Sequence, residues 1–159
     1  METSFEAELE RAGHIAYTNV GISMLPLLRE NRDVMRIENI PWKRYDAVLF
    51  RRPGVVGRGH YIVHRILRVN PDGSCWIVGD NLTEGETVQP ENILGVLTGV
   101  YRDGKMLRPE DLSYRLYVAL WCKPWPLRFA ILRAKRLCRR ALSFAKRCAE
   151  KALKKAGVK

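Results

Sequence analysis

The stretch His60-Tyr61-Ile62-Val63-His64-Arg65-Ile66-Leu67-Arg68-Val69 is the longest apolar run in the part of the chain that precedes residue 112. The turn-forming residues Asn70-Pro71-Asp72-Gly73 follow it, and the short apolar run Cys75-Trp76-Ile77-Val78 comes soon after. Valine, isoleucine and aromatic residues favour strands, whereas Asn, Pro, Asp and Gly favour tight turns. The sequence therefore predicts a β-hairpin at this point.

Further short runs with strand character surround the hairpin and are separated by Gly, Pro, Asn and Asp. Many short strands with little helix predict a mainly β fold, in which a folded sheet or partial barrel forms one compact domain. A short helix is predicted at residues 3–11, where Thr3 and Glu6 have capping-box spacing. The other predicted strands cover residues 15–20, 33–37, 45–50, 93–101 and 105–107; a basic loop is predicted at 51–59 and a polar loop from Gly79 to Glu86.

Charge divides the chain into unequal parts. From Arg115 to the end, fourteen Lys and Arg residues oppose the single acid Glu150, so this segment carries +13 of a total of +11 and the rest carries −2. This separation indicates that the positive charge of the tail serves to bind a partner of the tail. We predict a short N-terminal helix at residues 1–12, a β-rich domain at 13–111 and a basic helical tail at 112–159.

The tail has helical periodicity over residues 127–155, with apolar residues on one face and Lys and Arg on the others. Trp121 and Trp125 precede this helix, and indole rings favour membrane interfaces. The pattern is typical of a helix that lies on an anionic membrane surface. A protein partner, or a second copy of the chain, is the next interpretation. Nucleic acid ranks last, because the chain has no recognition motif and the tail does not interleave basic and aromatic residues.

The composition argues against several classes of protein. Three histidines and four scattered cysteines offer no spaced set of metal ligands, and no phosphate-binding glycine loop is present, so we expect no cofactor. The acidic N-terminus does not resemble a secretory signal, and the longest uncharged stretch, residues 12–28, is too polar to span a membrane. Unpaired cysteines favour a reducing compartment. We expect a cytoplasmic protein that can associate peripherally with a membrane.

Two residues stand out as a chemical pair. Ser23 lies in the run Gly21-Ile22-Ser23-Met24-Leu25-Pro26, and His64 lies in the apolar run of the hairpin. A serine hydroxyl is a weak nucleophile at neutral pH unless a base takes its proton, and histidine is suited to that task. The sequence thus predicts a Ser23–His64 dyad. His60 is an alternative base, because residues an even number apart share a face of a strand.

The order of motifs resembles the type I signal peptidase superfamily, which includes the LexA-like self-cleaving regulators. The motifs are Gly-x-Ser-Met-x-Pro at residues 21–26, Asp-Ala-Val-Leu-Phe at 46–50, Val-His-Arg-Ile at 63–66 and Gly-Asp-Asn at 79–81. The resemblance covers residues 15–100 and is to the histidine variant, found in endoplasmic-reticulum and archaeal signal peptidases. It implies the signal peptidase/LexA-like β fold, with Ser23 as nucleophile and His64 as general base.

The resemblance also implies an acid that orients the histidine. Relatives have an aspartate shortly after Gly-Asp-Asn; here Glu86 falls at the expected place, and Asp80 is the alternative. Many relatives have a serine two positions before the nucleophile that helps to bind the oxyanion, and here that position is Gly21. Loss of such a donor lowers rates by about a hundred- to a thousandfold, so slow or selective turnover is expected.

We therefore expect a serine endopeptidase that cleaves a peptide bond in a protein or leader peptide near a membrane, with the 127–155 helix as a peripheral anchor. The alternative from another class is a non-catalytic or self-processing LexA-like regulator whose basic tail binds a partner. In that case Ala12-Gly13 is the bond suited to self-cleavage, although it lies only ten residues before Ser23. The substrate and the oligomeric state do not follow from the sequence.

Overall fold

A single antiparallel sheet forms the centre of the computed structural model, which describes residues 5–56 and 59–155. Within these residues eight strands pair in the order β1-β2-β7-β3-β4-β5-β6, with β8 beside β7. The prediction of a mainly β fold with a C-terminal helix is confirmed. The predicted cap Thr3 and residues 57 and 58 of the predicted basic loop lie outside the described residues. The strands are β1 His14–Thr18, β2 Val34–Glu38, β3 Ala47–Arg51, β4 Tyr61–Val69, β5 Cys75–Val78, β6 Gly85–Val88, β7 Ile93–Arg102 and β8 Lys105–Leu107.

The predicted hairpin is present as β4 and β5, which pair antiparallel from Arg65 opposite Val78 to Val69 opposite Cys75. The turn is closed by the Asn70 amide, which donates to the Ser74 carbonyl at 2.8 Å. Gly73 has a φ of 83°, in the left-handed region that glycine adopts without strain. One prediction was wrong: Gly85 and Glu86, predicted as the end of a polar loop, belong to β6, because β5 provides their backbone pairing.

Strand β7 organises the sheet, since it pairs with β2, β3 and β8. The two faces of the sheet bury separate apolar clusters. The first contains Ile15, Met24, Leu28 and Leu49, and the short helix α1, Phe5–Ala12, packs Leu9 into it. The second contains Phe50, Ile66 and Ile77 with neighbouring residues of β3, β5 and β7. Side chains on both faces of β3 are therefore buried.

The folded unit extends further than the sequence predicts. Contacts divide the chain into residues 1–125 and 126–159, so the segment predicted as the start of the tail at residue 112 belongs to the first unit. Helix α2, Leu112–Tyr117, continues as a π-helical turn, Val118–Cys122, and buries Tyr114 and Cys122. Trp121 donates to the Asp80 carbonyl at 3.1 Å. Both polar and apolar contacts thus tie this segment to the first unit.

Helix α3 runs from Trp125 to Lys155 and confirms the predicted helix, with a start two residues earlier. Large apolar side chains along it are exposed, among them Leu137, Leu142 and Phe144 at 63–70% of their full area. In the described part of the chain, no helix combines the length and the apolar character needed to cross a membrane.

Candidate active site

Ser23 and His64, some forty residues apart in sequence, line one cleft of about 700 Å³ on the first face of the sheet. The walls of the cleft are largely apolar, and Arg52 is the one cation among the described residues that line it. A serine, a histidine and an apolar groove in one place are the elements that binding and cutting an extended peptide requires. The remaining lining residues are Phe5, Ile15, Tyr17, Asn19, Val20, Met35, Ile37, Leu49, Gly59, Tyr61, Ile62, Val63 and Leu82.

The segment that carries Ser23 is anchored on both sides of the serine. Met24 is buried, with 1% of its area exposed, and its carbonyl accepts from the Leu28 amide at 3.0 Å. Asn81 holds the other side: its amide donates to the Ser23 carbonyl at 2.8 Å, and its Nδ2 donates to the Ile22 carbonyl at 3.1 Å. The backbone at Ser23 is therefore fixed to the Gly79-Asp80-Asn81 turn.

Gly79 is the point where the two candidate residues converge. A Cβ atom at this position would lie 2.7 Å from the Ser23 carbonyl oxygen and 3.0 Å from His64 Nε2. Only a residue without a side chain allows both groups to approach the turn so closely. The sequence marks Gly79 as the end of a strand and as part of the Gly-Asp-Asn motif, but the approach of both Ser23 and His64 to it is visible only in the structure.

His64 is held as a neutral base. It lies in β4 opposite Val48, with 6% of its area exposed and its ring 6.1 Å from that of Phe50. Burial lowers its pKa to about 4, because the cationic form loses hydration. The carboxylates of Glu86 and Asp80 oppose this shift and Arg52 adds to it. An unprotonated imidazole at neutral pH is the state that a general base requires.

The Ser23 hydroxyl and the His64 ring have no hydrogen bond to each other or to another described residue. In proteins without substrate such bonds are often long and tighten in the complex. The Ser23 backbone N–H likewise has no acceptor among the described residues, so it is available to an oxyanion.

Glu86, the predicted orienting acid, lies in β6 and forms a two-pronged ion pair with Arg52, with Arg52 Nε 2.6 Å from Oε2. Arg52 itself lines the cleft. The structure thus brings Glu86 near enough to His64 to influence its charge, and gives its carboxylate a different partner. Its role towards the histidine stays a prediction.

Asp80, the alternative acid, is fully buried, and its carboxylate is taken up by Arg65. Arg65 Nη2 donates at 2.7 Å and Nε at 2.9 Å, and the Tyr117 hydroxyl donates at 2.8 Å. Arg65 is also fully buried, so the pair is a shielded structural contact. Asp80 therefore positions the turn that holds Ser23, and its carboxylate is directed to Arg65 and Tyr117.

Gly21 has a local reason for its identity. Its φ is 98°, which favours glycine, and its amide donates to Glu30 Oε1 at 3.0 Å. The position that the resemblance assigns to a helper serine thus forms a turn in this chain.

The other histidines lie elsewhere. His60 precedes β4 and places its Nδ1 against the Val55 carbonyl, and it is not among the described residues that line the cleft. His14 is the exposed first residue of β1, with its Nδ1 3.1 Å from the Ala12 carbonyl oxygen. His64 is therefore the histidine that the structure places beside Ser23.

No cluster of three His, Cys, Asp or Glu residues that could hold a metal ion occurs within residues 5–56 and 59–155. Comparisons of the chain with protein-family models, with curated proteins and with solved structures find no match. A functional assignment therefore depends on the geometry and electrostatics of the cleft.

Proposed function

We propose that this protein is a serine endopeptidase of the signal peptidase/LexA-like type, with Ser23 as nucleophile and His64 as general base. The observation that supports this proposal is the shared cleft, in which an anchored serine and a buried neutral histidine both closely approach Gly79. The same arrangement explains why the Gly79-Asp80-Asn81 turn accompanies the serine and histidine motifs in the chain.

The reaction uses groups already present in the cleft. His64 takes the proton of the Ser23 hydroxyl as the oxygen attacks the scissile carbonyl, and the Ser23 N–H donates to the oxyanion that forms. The imidazolium then gives its proton to the leaving amine, which leaves an acyl ester on Ser23. Water, deprotonated by His64, hydrolyses that ester and restores both residues.

The cleft walls indicate the substrate class. They consist mainly of aliphatic and aromatic side chains, including Tyr17, Met35 and Tyr61. An extended peptide with apolar side chains buries that surface and brings its carbonyl to Ser23. We therefore propose a protein or leader peptide as substrate, and we expect no cofactor.

The second unit supports a role at a membrane. The described residues of this unit belong to helix α3, which is rich in Lys and Arg and has exposed Leu and Phe side chains. Such a helix binds anionic lipid surfaces through both apolar burial and charge. We propose that α3 is a peripheral anchor that keeps the peptidase at the cytoplasmic side of a membrane.

Self-processing at Ala12-Gly13 is less well supported. The Gly13 amide donates to the Leu9 carbonyl at 2.8 Å, and the Gly13 carbonyl accepts from the Asn39 amide at 3.2 Å. The bond thus lies in a hydrogen-bonded turn at the start of the sheet. Intact mass after prolonged storage tests this alternative, because self-cleavage at this bond would remove twelve residues.

The peptidase proposal is tested with a mixed peptide library, with products identified by mass spectrometry. Wild-type protein should cut a defined set of bonds, and Ser23→Ala and His64→Ala should lose them. Ser143→Ala and His14→Ala are matched controls, since both residues are exposed and neither is among the described residues that line the cleft. Identical product sets from wild type, Ser23→Ala and His64→Ala would refute the proposal.

A further inference from the structure

An exposed stripe of leucines lies on the first unit, away from the residues that line the Ser23 cleft. Leu112, Leu116 and Leu120 follow each other at intervals of four along α2 and its π-helical turn, and 70%, 49% and 74% of their areas are exposed. Residues four apart lie above one another on a helix, so the three form one row. An exposed apolar row on a folded unit marks an interaction surface.

Four cations border this row. Lys43, Arg44, Arg115 and Lys123 line a second cleft of about 570 Å³, together with Leu112 and Leu116. Asp46 is the only acid among the described residues that line it, and its carboxylate accepts from the Lys43 amide at 2.9 Å. None of the four cations pairs with an acid within the described part of the chain. The surface therefore presents an excess of positive charge, four cations against one acid, beside apolar side chains.

An aromatic ring completes the surface. The Tyr45 ring lies beneath two of these cations, with the Arg44 guanidinium 4.7 Å and the Lys123 ammonium 6.0 Å from its centroid. Rings with one polar end are suited to the boundary between lipid headgroups and acyl chains. The long stems of Arg and Lys can lie along apolar surface while their charges reach the headgroups.

We propose that this surface, formed by residues 43–45 and 112–123, docks on an anionic lipid bilayer independently of α3. The leucines enter the acyl boundary, and the four cations contact lipid phosphates and carboxylates. An acidic protein would meet the charge but would leave the three leucines without an apolar environment. The proposal does not depend on peptidase activity.

Trp121 and Trp125, whose rings the sequence predicts at a membrane interface, instead make contacts within the first unit. The indole of Trp121 donates to Asp80, and the ring of Trp125 packs edge-on against that of Trp76 at 5.2 Å. Both are half-buried. Trp121 and Tyr117 instead connect the docking segment to the turn that holds Ser23, so a docked bilayer would hold the Ser23 cleft in a fixed orientation.

Site-specific fluorescence tests the proposal on the full chain. Cys138→Ser and Cys148→Ser remove the two exposed thiols, whereas Cys75 and Cys122 are buried. A polarity-sensitive dye is then attached through Leu116→Cys or, as a control, through Thr87→Cys on the exposed side of β6. With vesicles containing phosphatidylserine, the dye at position 116 should shift its emission to the blue, and the dye at position 87 should not.

Binding measurements give a second readout. Leu112→Ser with Leu120→Ser should lower the partition coefficient on these vesicles about tenfold, and Lys43→Gln or Arg44→Gln about fivefold each. Unchanged emission at position 116 while the protein floats with the vesicles would show docking through α3 alone and overturn the proposal. A shift caused by polyglutamate, without a shift on vesicles, would replace the bilayer with an acidic protein and also overturn it.

Discussion

Gly79→Ala adds one methyl group at the point where Ser23 and His64 converge. The new Cβ would lie 2.7 Å from the Ser23 carbonyl oxygen, whereas carbon and oxygen atoms in contact are normally about 3.4 Å apart. The turn or the serine segment must therefore move by about 0.7 Å. The Ser23 carbonyl cannot move freely, because it accepts the Asn81 amide at 2.8 Å.

The expected effect on catalysis is larger than the effect on stability. A displacement near 1 Å between reacting groups costs about a hundredfold in rate, so kcat/KM on the fastest-cut peptide should fall between about ten- and a hundredfold. Overpacking of a buried turn costs about 1–3 kcal/mol in the free energy of unfolding. Both quantities are measured on the same preparation, by peptide cleavage and by urea denaturation.

Gly99→Ala is the matched control. Its Cβ would lie 2.7 Å from the Met106 sulfur, the same separation, but Met106 is an exposed, flexible side chain that can move aside. This variant should keep its rate within about twofold. If Gly79→Ala retains the rate and the stability of the wild type, the convergence of Ser23 and His64 on Gly79 does not have the role assigned to it.

Three further predictions concern charged groups. The pKa of His64 is about 4 in the folded protein and 6.5 in the unfolded chain, so the unfolded chain binds more protons between these two pH values. The free energy of unfolding should therefore fall by about 3 kcal/mol from pH 7 to pH 4, relative to that of His64→Gln. The acid limb of the pH profile of kcat/KM should also lie near pH 4. A limb near pH 6.5 would contradict the burial argument. Burial raises the pKa of Asp33, but hydrogen bonds from Arg102 and Arg29 outweigh it and lower the pKa to about 2. Asp33→Asn should therefore lower the free energy of unfolding, measured by urea denaturation, by about 2 kcal/mol at neutral pH, and this difference should disappear as the pH falls from 4 to 2. Equal stability of variant and wild type at pH 7 would show that the ionised Asp33 carboxylate does not stabilise the fold. Asp80→Asn leaves the buried Arg65 without its counter-ion, and should cost about 3 kcal/mol or more by the same measurement; a loss below 1 kcal/mol would show that the pair is not structural.

Local sequence patterns predicted the strands well where turn-forming residues separate two apolar runs. The β4–β5 hairpin and the strand β8, Lys105–Leu107, follow from turn residues between apolar runs. The strand Gly85–Val88 was missed, since Gly and Glu are depleted in strands and its pairing comes from β5. The central place of β7 also could not be predicted, because its partners β2 and β3 are distant in sequence.

The sequence predicted the two reactive residues of the candidate site but not the contacts that hold them in place. Ser23 and His64 carry reactive groups that a sequence reveals, and the structure places both in one cleft. The Tyr117 hydroxyl that donates to Asp80 comes from helix α2, which the charge pattern assigned to the tail. The basic composition that begins near Arg115 led residues 112–122 to be assigned to the tail, although they pack into the first unit.

Covalent labelling of Ser23 measures whether His64 activates its hydroxyl. A fluorophosphonate reacts with a serine whose proton is removed by a neighbouring base, with loss of fluoride. Intact mass should show a single adduct, peptide mapping should place it on Ser23, and His64→Ala should slow its formation by at least about a hundredfold. An adduct at the same rate in His64→Ala, or labelling spread over other serines, would contradict the Ser23–His64 dyad.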